Sequence, residues 1–307
     1  MHNIEQIVQG IHQEKSRAIA RAISIVEDAD QGADELLASL DTEKIENSMV
    51  VGITGAPGAG KSTLTNSLVQ QCRELGKRVG VVAIDPSSPI SGGAIHGDRI
   101  RMMQHAMDQD VVVRSMATRG RLGGLCASSG AAVRIMAAGG CDPVFIETVG
   151  VGQSEVDIIQ SSDITALVSA PGLGDDIQAL KAGLLEVADI MVVNKADRPG
   201  ADMLCMELEE VAQEKGRCVF RTVAAKDEGT RELFAYMQEL FKSHKESGES
   251  TRRRKLARQR EIEDWSMEML RPYVGDMCKS RADDLSTDPK ICAQEITRCL
   301  LQGDGNS

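Results

Sequence analysis

The sequence predicts an α/β fold, a doubly wound and mainly parallel sheet with a helical extension at each end. Seven short β-type apolar runs, at 49–54, 78–84, 111–116, 143–147, 164–169, 189–193 and 218–223, alternate with helical patterns. Such alternation implies right-handed crossovers between parallel strands. The first run ends in Gly55-Ala56-Pro57-Gly58-Ala59-Gly60-Lys61-Ser62-Thr63 and passes at once into a helical stretch with Leu64, Leu68 and Val69. Strand, phosphate-cradling loop and helix therefore stand in order. Aromatics make up 2% of the 307 residues against 42% apolar residues, so the core must be built from Val, Ile, Leu, Ala and Met. That composition suits a sheet covered by helices on both faces.

The length allows one α/β domain of roughly 200 to 220 residues with accessory helices, or two modest domains. The divisions expected are a helical extension over 1–48, a nucleotide-binding domain over 49–241 and a helical arm over 242–307. A net charge of -11 argues against a nucleic acid or an anionic membrane as partner. The eight Cys show no CxxC spacing and mostly fall within apolar patterns, which reads as reduced, hydrophobic cysteines in a cytoplasmic protein. No signal peptide opens the chain, and no apolar run approaches the ~20 residues of a membrane span.

Residues 1–48 carry helical stripes (Ile4, Ile7, Val8, Ile11; Ile19, Ala22, Ile23, Val26; Leu36, Leu37, Leu40) that should pack on the core or on another subunit. In the loop that follows, Gly55, Gly58 and Gly60 free the backbone to turn successive N–H groups onto an anion at the positive end of a helix. Lys61 then reaches the β- and γ-phosphates and the Ser62 hydroxyl ligates Mg²⁺. The long Pro-, Ser- and Gly-rich segment Asp85 to Arg101 lies at the ligand end of the sheet, where an order–disorder switch is expected. Asp85 and Asp98 are hard oxygen ligands suited to Mg²⁺, and Arg101 could reach a phosphate.

Glu147-Thr148-Val149-Gly150 follows the fourth run, where an acid can hold Mg²⁺ through water and the Gly150 N–H can face the γ-phosphate. Gln153 could orient a water or remain a solvated loop residue. Asn194-Lys195-Ala196-Asp197 follows the sixth run. Asp197 can accept hydrogen bonds from guanine N1–H and N2–H₂, donors that adenine does not present there, so a carboxylate left unpaired in a buried site would penalise ATP. Ala224, after the seventh run, is placed to offer its N–H to guanine O6. Beyond Gly229 the pattern is wholly helical, with a basic run at Arg252-Arg253-Arg254-Lys255 that reads as a solvated face or as a match for an acidic partner. Pro272 and Pro289 are expected to bound the last segments.

Gly55 to Ser62, Asp85-Pro86-Ser87-Ser88, Gly92-Gly93 through Gly97-Asp98-Arg99, Glu147 to Glu155, Pro171-Gly172 through Gly174-Asp175 and Val193 to Asp197 together resemble the MeaB/MMAA/ArgK GTPases. These are chaperones of adenosylcobalamin-dependent methylmalonyl-CoA mutase and its relatives. The resemblance implies a homodimeric GTPase of the signal-recognition and MinD class that binds GTP and GDP. In it Ser62, Asp85, Asp98 and Glu147 surround Mg²⁺, and Arg101 meets the nucleotide. It also implies that the loop Pro171 to Gly183, with Asp175, Gln178 and Lys181, couples the GTP state to an acyl-CoA mutase. One departure is Met116 to Gly124, where many relatives carry a Ser-rich turn before Leu-Gly-Gly. Two other readings share the P-loop. A kinase linked to amino-acid transport needs a base beside an acceptor pocket, and the sequence offers none beyond the nucleotide site. A metal-insertion GTPase of the hydrogenase or urease type should carry clustered His or Cys-His ligands, whereas this chain has five scattered His.

Overall fold

The computed structural model describes residues 3–85, 108–117, 127–148, 161–173, 184–214, 216–282 and 287–302. Four helices come first: α1 Ile4–His12, α2 Ser16–Glu27, α3 Ala33–Ala38 and α4 Thr42–Asn47. Asn3 and Asp41 cap α1 and α4 by accepting from Gln6 N at 3.1 Å and Lys44 N at 3.2 Å, which satisfies N–H groups that a first helical turn leaves without partners. Gly32, at φ +95°, opens α3. Ile11, Ile19, Ala22, Ile23 and Leu36 are buried, and a Cβ at Gly139 would stand 2.4 Å from Ile19 Cδ1. The N-terminal stripes thus pack on the body of this chain.

Seven strands follow: β1 Val50–Thr54, β2 Val79–Asp85, β3 Val111–Ala117, β4 Val144–Thr148, β5 Ile164–Ser169, β6 Ile190–Asn194 and β7 Cys218–Thr222. Each begins and ends within one residue of its expected run. They form one sheet in the order β3-β2-β4-β1-β5-β6-β7, and every pairing is parallel. Strands β4, β5 and β6 are buried along their whole length. A strand covered on both faces has no reason to alternate polar and apolar residues, so its sequence is a continuous apolar run.

The covering helices are α5 Lys61–Glu74, α6 Ala127–Ala138, α7 Leu184–Val187, α8 Ala201–Gln213 and α9 Thr230–Glu246. Leu64, Leu68 and Cys72 of α5 pack with Leu233, Phe234 and Met237 of α9 against Val51, Ile53, Phe145 and Val168. Leu204, Cys205 and Leu208 of α8 pack with Leu167, Met191 and Val193. Because β1 lies between β4 and β5, the chain leaves the centre of the sheet in both directions. Ligands of such sheets sit at the carboxyl ends of the strands beside that switch point, which here is where β1 runs into Gly55.

Helix α10 runs from Glu249 to Arg281 and α11 from Pro289 to Gln302. The chain divides into two compact units between Ala257 and Arg258, within α10. Pro272 lies inside α10 instead of ending a segment: a long helix tolerates the loss of one backbone hydrogen bond where its neighbours hold. Pro289 does open α11. In the second unit Ile262, Met267, Met269, Leu270 and Tyr273 are exposed, and Arg281 pairs with Glu295. No described helix is long and apolar enough to cross a membrane.

Two members of the basic run at the start of α10, Arg253 and Arg254, do not belong to a solvated face, whereas Arg252 and Lys255 are exposed. Arg253 holds Asp189 through two 2.7 Å bonds, and Arg254 holds Asp163 at 2.8 and 2.7 Å. Arg254 also donates to the carbonyls of Ile45, Glu46 and Ser48. The two carboxylates in turn accept from strand N–H groups, Asp163 from Val50 at 3.0 Å and Asp189 from Thr165 at 2.8 Å. The root of α10 is thereby clamped to the amino ends of β1 and β5.

Candidate functional site

The carboxyl ends of β1, β4 and β6 and the turn after β7 converge on one face. Gly55 and Gly60 show why this loop needs glycine. Their φ values are +137° and +93°, and an added Cβ would stand 2.0 Å from Val168 O and 2.4 Å from Asn194 Nδ2. A side chain at Gly55 would collide with the backbone of β5 and one at Gly60 with the Asn194 amide, and either would strain the turn. Ala56 and Ala59 are buried, while Pro57, Gly58 and Thr63 face solvent. Lys61 opens α5 and is 5% exposed. Its Nζ donates to Gly55 O at 2.6 Å and Ala56 O at 3.1 Å, so the ammonium lies across the loop where phosphate oxygens would exchange with carbonyls.

The Ser62 hydroxyl donates to Glu147 Oε1. Glu147 is buried at 3% exposure on β4, in register with Ile53 of β1. A hydroxyl and a carboxylate held together at a helix N-terminus are the hard-oxygen donors that Mg²⁺ takes. Beside them, at the ends of β1 and β4, the buried hydroxyls of Thr54 and Thr148 have no hydrogen-bond partner among the described residues. Native folds rarely leave such groups without a partner unless a ligand or water serves them, so the residues present fit a metal–phosphate group. Asp85 closes β2, in register with Ala117; its side chain, and Asp98, Arg101, Gly150, Gln153, Lys181 and most of the 116–124 and 171–183 segments, lie outside the described residues.

At the other end of the site, Asn194 ties two loops together. Its Nδ2 donates to Ala59 O at 2.9 Å and Gly60 O at 3.4 Å, and its Oδ1 accepts from Thr222 Oγ1 at 3.2 Å and Ala224 N at 3.1 Å. Lys195, in the left-handed region at φ +56°, donates to Gly58 O at 2.6 Å. Two expectations need correcting. The Ala224 N–H is given to Asn194, because the turn after β7 wraps onto that side chain, and so it does not point at a base. Asp197 is not a buried carboxylate: 42% of its side chain is exposed, and it pairs with Lys226 at 3.0 Å. The Lys226 ammonium lowers the Asp197 pKa and is itself held charged by it. Thr222 and Lys226 were not singled out from the sequence. The only signal for them was their place at the end of the seventh run, beside Ala224.

A glycine loop bound through Asn194 and Lys195 to an acid-bearing base loop, on a parallel sheet, defines a P-loop nucleotide-binding protein. The family model described as Methylmalonyl Co-A mutase-associated GTPase MeaB matches residues 19–279, and the chain belongs to that family. It is a GTP hydrolase that binds guanine nucleotides. A Pyrococcus horikoshii protein given a GTPase name is 45% identical over 275 residues, 85% of this chain and 85% of its own. A mitochondrial Mus musculus protein named methylmalonic aciduria type A homolog is 32% identical over 277 residues, 82% of this chain and 66% of its own. The crystal structure of an LAO/AO transport system kinase matches with a TM-score of 0.70 over 98% of this chain and 99% of its own. At 19% identity that likeness concerns the fold alone.

Proposed function

We propose that this GTPase is the chaperone of an adenosylcobalamin-dependent acyl-CoA mutase of the methylmalonyl-CoA type, gating cofactor loading and protecting or reactivating the mutase. The observation that carries the reading is the match of residues 19–279 to a family described by its association with that mutase; the name of the mouse relative agrees with it.

In this reading the N–H groups of Gly55 to Thr63 and the Lys61 ammonium bind the phosphates, and Asp197 and Asn194 orient the base. Ser62, Glu147, Asp85 and Asp98 would hold Mg²⁺, Arg101 would meet the nucleotide and the Gly150 N–H would face the γ-phosphate. Held there, Mg²⁺ would supply positive charge against the charge that develops on the phosphates during transfer. Intrinsic turnover is expected to be slow. Arg101 is assigned to meeting the nucleotide, and no residue's sequence context marks it as an arginine finger, which can contribute ~10³ to 10⁵ in rate.

The loop Pro171 to Gly183 then carries the state of the γ-phosphate to the mutase, and by reciprocity the bound mutase biases the loop. A second copy of the chain is the proposed cover for Ile262, Met269 and Tyr273, which are exposed in the second unit. The cognate mutase should raise GTP turnover about tenfold or more, and Lys181→Ala should lose most of that stimulation. Phosphate release with and without the mutase measures both, and sedimentation of the same preparation should give two copies. Turnover indifferent to the mutase contradicts the chaperone reading; a monomer contradicts the dimer alone.

A further inference from the structure

The turn after β7 continues as a 3₁₀ segment, Ala224–Lys226, and a tip that is exposed from Ala225 to Glu228. One side-chain link from this tip to the rest of the site is the Lys226–Asp197 ion pair. That link is a poor anchor, because a base that uses the Asp197 oxygens must compete with Lys226 for them. A second link is independent of Asp197. Asp227 stands in the left-handed region at φ +57°, and its Oδ1 accepts from the hydroxyl of Ser67. Ser67 is 2% exposed on α5, the same helix that begins with Lys61 and Ser62. Thr230, fully buried, completes the joint: its Oγ1 lies 3.0 Å from Ser67 Oγ and donates to Asp227 O at 3.1 Å. Gly229 lets the chain make this turn, since a Cβ there would meet Arg221 O at 2.2 Å.

We infer that Asp227 and Ser67 are positioning residues for guanine, fixing the base-end turn to the phosphate-loop helix so that Lys226 and Ala224 hold station while Asp197 turns to the base. The inference rests on Asp197 being the base reader. Both ends of the nucleotide then meet one rigid body, α5, and the order of the turn need not be supplied by the ligand at each binding event. The hydroxyl–carboxylate bond is charge-assisted, the stronger kind of hydrogen bond. The sequence gives no hint of it, since an acid in an exposed loop ordinarily belongs to water.

The left-handed backbone at Asp227 allows a clean test. Glycine adopts that conformation without strain and asparagine is among the side chains that tolerate it. Asp227→Gly therefore removes the acceptor without straining the backbone, Ser67→Ala removes the donor with the backbone unchanged, and Asp227→Asn keeps an oxygen at the same place. For Asp227→Gly, KM for GTP and Kd for GDP should rise about tenfold with kcat at saturation unchanged. Asp227→Asn should restore most of the affinity, and Ser67→Ala should reproduce the glycine variant. Unchanged affinity in Asp227→Gly, an equal loss in Asp227→Asn, or a fall in kcat with no change in KM would each overturn the inference. Wild type is measured first against ATP: if it shows no guanine preference, the base-reader reading fails as well, whereas a guanine-selective wild type with indifferent variants removes only the joint.

Discussion

Lys61→Ala should lose GTP hydrolysis by at least about 10²- to 10³-fold while remaining folded. The ammonium is the one described cation placed against the loop carbonyls of Gly55 and Ala56, at 2.6 and 3.1 Å. Removing a donor aimed at developing charge typically costs that much in rate. The fold should survive because alanine suits the first turn of α5 and the two carbonyls can turn to water at the open loop. Phosphate release at saturating GTP, with a melting curve as control, checks it. Wild-type turnover in this variant would mean that the phosphate end lies elsewhere.

Arg254→Ala should cost about 3 to 5 kcal/mol of stability, the usual penalty for stripping the partner from a buried charge. The Asp163 side chain is 1% exposed and its bidentate partner 28%. The variant would leave that buried carboxylate without its counter-charge and take the donor from the carbonyls of Ile45, Glu46 and Ser48. Arg254→Lys should recover only part of the loss, because an ammonium cannot span both carboxylate oxygens. Arg252→Ala is the internal comparison. Arg252 is largely exposed and pairs with Glu249 within its own helix, so its loss should be small beside that of Arg254. Urea unfolding of the three variants decides between a clamp and a solvated run: equal, small losses at 252 and 254 would restore the solvated reading.

What the sequence could and could not show follows from the range of each interaction. The strands were legible because burial on both faces leaves unbroken apolar runs, as in Val144–Thr148 and Ile190–Asn194. The phosphate loop was legible because its requirement is local, a set of glycines and a lysine at fixed spacing before a helix. The clamp was not: Arg254 and Asp163 are 91 residues apart, and a basic run declares its charge without its partner. The same holds at the base end. The position of Ala224 was readable from the end of the seventh run, but its N–H bonds to Asn194, 30 residues earlier. A base-reading carboxylate implies a closed pocket, whereas the folded loop leaves Asp197 half open against Lys226, 29 residues later.

The central claim is that this loop and base reader form a guanine site. Its most direct test is the affinity of the wild-type protein for GTP and for ATP, measured by calorimetry in Mg²⁺ buffer. GTP should bind at least ~100-fold more tightly, since guanine N1–H and N2–H₂ give Asp197 two charge-assisted hydrogen bonds that adenine cannot make at those positions. Equal affinity for the two nucleotides would contradict the assignment.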